Sequence, residues 1–223
     1  MAIKLYGLSD GPRTIAVIMT MKALDIPYEL ISTSCRLGQQ KTEKFALINP
    51  QREIPAIDDN GFYLQETIAI IIYLCNKYAP DSPLYPKDPV ARAIVNQRLC
   101  FNMGYYFTTI GIYTMGTKLY DAKRTPELLK KVENSLNVFE IYLERANTKY
   151  AAGDKLTVAD FALIASTLCL EAAKFDFSPY PLIKKWYETF KQEYPALWDI
   201  GNTGLIQLDW IERNLPGPLL KFE

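Results

Sequence analysis

The sequence predicts a small α/β domain followed by an all-helical domain. Residues 2–78 alternate between strand-like and helix-like apolar patterns, whereas no strand-like alternation follows residue 90. The stretch between them holds four prolines in eleven residues, and proline continues neither a helix nor a central strand. We therefore expect a first domain at residues 1–80, a linker at 81–89 and a second domain at 90–223.

The first domain should have the element order β-α-β-α-β-β-α. The dipeptide Asn60-Gly61 between two apolar runs is typical of a tight hairpin turn, and Pro12 suits the first turn of a helix. The predicted strands cover residues 2–7, 28–32, 54–57 and 62–64. The predicted helices cover residues 13–24, a short piece near Phe45, and residues 66–78.

The second domain should contain helices only. One of them has a recognisable start, because Thr157 and Asp160 fit a capping box while Leu156 and Phe161 occupy the positions of a hydrophobic staple. Such a start indicates a buried structural helix and carries no chemistry. The predicted helices cover residues 90–118, 125–147, 157–173, 181–193 and 202–213.

Composition excludes several classes of function. Lys and Arg total 25, as do Asp and Glu, so the chain lacks the basic excess with which nucleic-acid binders neutralise phosphates. The absence of histidine removes Ser-His-Asp and Cys-His nucleophiles and the commonest zinc sites. The four cysteines show no paired spacing, which predicts free thiols in a reducing compartment and no metal site.

The chain also carries no pattern of export or membrane insertion. Its start lacks a basic segment followed by a long apolar run, and the most apolar stretch, residues 68–75, is too short to span a bilayer. We therefore expect a cytoplasmic protein with neither membrane nor nucleic acid as a partner.

Four sequence motifs make the chain resemble the cytosolic glutathione S-transferases, in particular the insect delta and epsilon classes. The motifs occur in the order and at the spacing typical of that family. They are Asn49–Pro55 (NPQREIP), Leu64–Ile70 (LQETIAI), the linker and fourth helix (LYPKDP followed by QRL) and Leu156–Phe161 (LTVADF). The resemblance covers nearly the whole chain. It implies a thioredoxin-like first domain, a homodimer, and glutathione as the co-substrate for detoxification of small hydrophobic electrophiles.

The resemblance also implies a glutathione site in the first domain. The peptide bond before Pro55 would be cis and would present the Ile54 backbone to the cysteinyl part of glutathione, although Pro55 alone could simply open a strand. The resemblance assigns the γ-glutamyl carboxylate to Thr67 and the ammonium to Glu66. These two residues stand at a predicted helix start, whose unpaired N–H groups suit a carboxylate, but the pair could equally be a plain helix cap.

Two further residues lie beside the expected glutathione backbone, Gln51 and Arg52. Many delta and epsilon relatives have histidine where Arg52 stands, so this chain substitutes a permanent cation. Arg52 could pair with the glycine carboxylate of glutathione or remain a solvated surface arginine.

The hydrophobic substrate should bind in the helical domain. Aromatic residues, Phe107 among them, crowd the fourth helix, and others lie near the end of the chain; an aromatic stripe at helical spacing can line a pocket or belong to the core. The predicted pocket residues are Tyr105, Tyr106, Ile110, Tyr113, Leu208 and Trp210.

One departure from the family pattern concerns the group that stabilises the thiolate. Delta and epsilon relatives usually read Ser-Pro-x-x-Arg at the start of the first helix, whereas this chain has Gly11 at the serine position and Ile15 at the arginine position. Ser9, two residues upstream, is the candidate catalytic hydroxyl. Tyr6, at the end of the first strand, is the lesser candidate.

The missing serine keeps two other functions open. A protein of low turnover could retain the glutathione-binding fold and carry apolar ligands. The fold could also serve as a module for binding protein partners, although the sequence shows no appended domain.

Overall fold

A computed structural model describes residues 2–35, 37–119 and 123–214. It confirms the fold class, with a four-stranded sheet and its helices followed by a bundle of helices. The strands are β1 (Ile3–Gly7), β2 (Tyr28–Ser32), β3 (Ala56–Asp59) and β4 (Phe62–Gln65). The helices are α1 (Pro12–Ala23), α2 (Glu43–Ala46), α3 (Thr67–Tyr78), α4 (Pro89–Phe101), α5 (Phe107–Thr114), α6 (Gly116–Leu119), α7 (Pro126–Ala146), α8 (Val158–Ala172), α9 (Pro181–Glu193) and α10 (Pro195–Asn214).

The sheet has the strand order β2-β1-β3-β4, with β1 and β2 parallel and the other two pairs antiparallel. The predicted hairpin is confirmed, because Asn60 and Gly61 have φ values of 55° and 92° and join β3 to β4. A two-residue hairpin turn whose twist matches that of the flanking strands requires two consecutive positive φ values. Glycine adopts such values without steric cost.

Strand alternation divides the side chains of β1 between the two faces of the sheet. Leu5 is fully buried on the face that α1 and α3 cover, together with Ile15 and Ile70. Tyr6 points to the opposite face, where its ring meets the edge of Phe45 in α2 at 6.0 Å between centroids. This arrangement places the starts of α1 and α3 on the same side of the sheet.

The buried helix α8 forms the centre of the second domain and also packs against α1 of the first. Its predicted capping box is confirmed, with Asp160 accepting from the Thr157 backbone N–H at 2.9 Å. The same carboxylate accepts from the Ala151 N–H and the Trp186 indole. Burial raises the pKa of Asp160, and these donors oppose that rise.

The helix predicted over residues 90–118 is interrupted. A π-helical turn, Asn102–Tyr106, separates α4 from α5 and adds one residue to the helical period. The last helix begins at Pro195 rather than at residue 202, and Gly204 lies so close to α1 that a Cβ there would fall 2.2 Å from Ile15. Within the described ranges, no helix combines the length and apolar character needed to cross a bilayer.

Candidate active site

A cleft of about 210 Å³ opens between the starts of α1 and α3 and the loop that precedes β3. The structure brings together five residues that the sequence predicted for the glutathione site. They are Gln51, Ile54, Pro55, Glu66 and Thr67. The cleft is completed by Arg13, Asn49 and Glu53.

The loop before β3 presents an unpaired piece of backbone to the cleft. The Ile54–Pro55 peptide bond is cis, as the family resemblance implied. Neither the N–H nor the C=O of Ile54 is hydrogen-bonded to another described residue. A free N–H and C=O side by side can pair with an extended peptide as a neighbouring strand would.

The buried Asn49 side chain holds the loop before β3 in place. It is 1% exposed, donates through Nδ2 to the Glu53 carbonyl at 2.7 Å and accepts through Oδ1 from the Gln51 N–H at 2.9 Å. Asn49 belongs to the Asn-Pro phrase recognised in the sequence, but that phrase alone did not indicate that its side chain supports the loop.

The start of α3 offers donors to the cleft. Its N-cap, Glu66, has φ 70° and makes no capping hydrogen bond, so the first amides of α3 have no intrahelical or side-chain acceptor. Thr67 is 5% exposed, and its hydroxyl donates weakly to the Arg13 carbonyl at 3.4 Å. Free amides, a hydroxyl and the positive end of the helix dipole together suit a carboxylate.

The N-cap position of α1 lacks a side-chain hydroxyl. Gly11 is the N-cap and provides no side-chain hydrogen bond. Ser9 lies exposed in the turn before the helix and is not among the residues that line the cleft. Tyr6 lies on the other face of the sheet, and burial raises the pKa of its phenol, which stays neutral. The structure therefore places neither candidate hydroxyl at the cleft.

Arg13, in the first turn of α1, is a site residue that sequence reasoning missed. Its Nη1 donates to Glu53 Oε2 at 2.8 Å, and its guanidinium carbon lies 5.4 Å from the centre of the Phe107 ring. Both partners are distant in sequence, and an arginine after Pro12 has the pattern of a solvent-facing helix residue. No local signal could have identified it.

A second, mostly apolar pocket of about 300 Å³ lies behind the cleft, between α1, the start of α3, the π-helical turn and α8. Arg13 and Thr67 line both spaces. At the far wall, Ser166 Oγ donates to Asn102 Oδ1 at 2.7 Å. The remaining lining residues are Pro12, Ala16, Ile68, Met103, Phe107, Ala162 and Ala165.

The prediction of the hydrophobic pocket is wrong for Tyr106 and Ile110. Both are fully buried in the helical core, and the Tyr106 hydroxyl forms a hydrogen bond with Thr167 at 3.1 Å. The extra residue of the π-helical turn changes which side chains of this helix face the core. Phe107, from the same aromatic cluster, is the aromatic residue that lines the pocket.

The other four predicted pocket residues do not line either space. Tyr105 and Trp210 are surface residues, 37% and 49% exposed. Leu208 is partly buried against the core, and the Tyr113 ring lies under the Arg124 guanidinium.

Arg52 is also turned away from the cleft. Its guanidinium donates to the Lys41 carbonyl at 2.8 Å and to Glu43 Oε1 at 2.7 Å, next to α2. This geometry favours the surface role that the sequence left open for Arg52.

Models of two protein families match the chain. "Glutathione S-transferase, N-terminal domain" matches residues 5–82, and "Glutathione S-transferase, C-terminal domain" matches residues 105–193. Among curated proteins, glutathione S-transferase D6 of Drosophila melanogaster is 36% identical over 195 residues, which are 87% of this chain and 89% of that protein.

Solved structures of insect proteins share the whole fold. A diazinon-metabolizing glutathione S-transferase of the silkworm Bombyx mori is 52% identical, with a TM-score of 0.89 over 94% of this chain and all of that one. A delta-class glutathione transferase of Nilaparvata lugens is 34% identical, with a TM-score of 0.88 over 95% of this chain and 98% of that one.

Proposed function

The chain belongs to the glutathione S-transferase family of detoxification enzymes, and we propose that its cleft binds glutathione. We propose that the pocket behind the cleft binds the electrophile. The single observation that carries this assignment is the convergence of the Ile54 backbone with Glu66 and Thr67 on one cleft. The two spaces share a wall at Arg13 and Thr67, so a thiol held in the first can reach a carbon atom in the second.

Each part of glutathione has a chemically suitable partner in the cleft. The Ile54 N–H and C=O pair with the cysteinyl backbone, as strands pair. The Thr67 hydroxyl and the first amides of α3 donate to the γ-glutamyl carboxylate, and the Glu66 carboxylate accepts from the ammonium group. Gln51 lies beside the glycine end of the tripeptide.

The reaction needs the sulfur as a thiolate, although an unperturbed thiol has a pKa of about 8.5. The bound thiol loses its proton to solvent. The thiolate sulfur then attacks the electrophilic centre and forms a new bond to it. The leaving group departs with the electrons of the bond that joined it to that centre. The apolar walls of the second pocket favour electrophiles of low polarity.

Diazinon identifies the first electrophile class to test. The silkworm relative is described as metabolising it, and we propose that organothiophosphates of this kind are substrates here. The assay should measure loss of glutathione thiol and appearance of the conjugate, with an aromatic halide such as chlorodinitrobenzene as the generic electrophile.

The test of the function combines that assay with retention on immobilised glutathione. We expect retention and conjugation in the wild-type protein and loss of retention in Glu66→Ala. Retention without conjugation of any electrophile would indicate a ligand-binding protein, and equal retention of both proteins would contradict the assigned cleft.

We further propose that the chain acts as a cytoplasmic homodimer. The first domain exposes three large aromatic residues, Phe62, Tyr63 and Tyr78, which a partner subunit would cover. None of the four cysteines, all of which the structure describes, forms a disulfide, which fits a reducing compartment. Sedimentation should give a species of twice the 25.5 kDa chain mass, and a monomer at micromolar concentration would contradict the dimer.

A further inference from the structure

We propose that Arg13 stabilises the glutathione thiolate and so replaces the hydroxyl that Gly11 lacks; this inference rests on the proposed function. Arg13 is the cationic residue among those that line the two spaces in the described structure. A positive charge within a few Å of a thiol favours its ionised form and lowers its pKa.

The position of Arg13 matches the place where the sulfur must lie. The cysteinyl part of glutathione pairs with Ile54 in the cleft, while the electrophile occupies the pocket behind it. The sulfur must therefore lie at the boundary between the two spaces. Arg13 and Thr67 are the two residues that line both. Of these, Thr67 is already assigned to the γ-glutamyl carboxylate under the proposed function.

The guanidinium also has capacity for a new partner. Its one hydrogen bond among the described residues goes from Nη1 to Glu53, and both side chains of this pair are solvent-exposed, 44% and 60%. Exposed ion pairs contribute little to stability, so the pair can rearrange when a thiolate enters. The Phe107 ring, 5.4 Å away, holds the guanidinium beside the electrophile pocket.

Arginine acts here by charge and not as a base. An arginine guanidinium has five N–H donors and no acceptor, so it cannot take the thiol proton, which goes to solvent. The effect of Arg13 must therefore appear as a lower pKa of the bound thiol. Glu53 should have the opposite effect, because its carboxylate offsets the charge of Arg13 and repels a thiolate.

The test measures the pKa of the thiol in the binary complex by ultraviolet absorbance of the thiolate, together with the pH profile of kcat/KM. Arg13→Gln should raise that pKa by about one unit or more, which lowers the thiolate fraction and kcat/KM at neutral pH about tenfold. Arg13→Lys should restore most of the shift. Glu53→Gln should lower the pKa below the wild-type value. Arg145→Gln, which removes the same charge from an exposed position on α7, should leave both readouts unchanged.

The outcomes separate this inference from the function on which it rests. A thiolate signal in wild type that Arg13→Gln leaves at the same pKa would overturn the role of Arg13 while the function stands. A loss of glutathione affinity with an unchanged thiol pKa would also overturn it, since Arg13 would then bind a carboxylate of glutathione. Failure of the wild-type protein to bind glutathione would contradict the proposed function itself.

Discussion

Helix starts in the two domains serve different purposes. At the start of α8, the side chains of Thr157 and Asp160 satisfy the free backbone N–H groups in a fully buried setting. At the starts of α1 and α3, no side chain caps the helix. Both uncapped starts border the cleft, so the first N–H groups of these two helices are available to a ligand there.

The two uncapped starts also differ from each other. The start of α3 keeps a hydroxyl at Thr67, whereas the start of α1 has Gly11 in place of a hydroxyl and Arg13 two residues later. Binding and activation of glutathione are therefore assigned to different helices. In this proposal, binding uses the hydroxyl and amides at the start of α3, and activation uses the charge of Arg13 at the start of α1.

The largest expected effect concerns the capped start. Asp160→Ala leaves four buried donors unpaired, from Thr157 (two), Ala151 and Trp186, and should lower the free energy of unfolding by about 3 kcal/mol or more. Thermal or urea unfolding measures this, with Asp199→Ala, an exposed aspartate on α10, as the control. Unchanged stability with lost activity would show that α8 has a direct role in the chemistry.

The next effect concerns glutathione affinity. Thr67→Val removes the hydroxyl at the start of α3 with little change in volume and should weaken glutathione binding about 10- to 100-fold, because a hydrogen bond to a charged group is worth about 1.5–3 kcal/mol. Calorimetric titration measures the dissociation constant. Thr203→Val, which removes an exposed hydroxyl from α10, should bind as wild type does; equal affinity in both variants would argue against the carboxylate site.

A smaller gain is expected from restoring a hydroxyl to α1. Gly11 has φ −77°, and a Cβ there would meet its nearest neighbour, the Leu8 carbonyl oxygen, at an ordinary 3.4 Å, so serine fits without strain. Gly11→Ser should raise kcat/KM at neutral pH about two- to fivefold, by lowering the thiol pKa about one unit or less. Gly153→Ser, at an open position, is the control. No gain would indicate that the sulfur does not approach the start of α1.

The smallest effect is expected at Ser9. Because Ser9 is exposed outside the lining of the cleft, Ser9→Ala should change kcat/KM less than about twofold, a difference of about 0.4 kcal/mol. Steady-state kinetics at neutral pH measures this. A tenfold loss would restore Ser9 as the thiolate donor and show that its loop closes on the ligand.

The local structures around the proposed glutathione site were predictable. Local sequence patterns predicted the Asn60-Gly61 turn and the helix start at Thr67, the family resemblance implied the cis bond before Pro55, and the structure shows all three. Such patterns are readable because backbone geometry restricts the residues that can occupy these positions.

The proposed role of Arg13 could not be predicted from local sequence patterns. The Arg13 side chain is positioned by a hydrogen bond to Glu53, 40 residues away in sequence, and by contact with the Phe107 ring of the second domain. Tyr106 was misplaced because a π-helical turn, which left no recognisable periodicity, changes the faces of its helix. Both features follow from packing between elements that are remote in sequence.

The central claim is that the cleft between α1 and α3 holds glutathione as a thiolate. Calorimetry of glutathione binding at neutral pH, in two buffers that differ in ionisation enthalpy, counts the protons released on binding. Free glutathione is mostly protonated there, so a lowered thiol pKa predicts release of a measurable fraction of a proton per site and affinity that rises with pH. S-methylglutathione, whose sulfur has no proton, should bind without that release. Equal enthalpies in both buffers for glutathione would contradict the account.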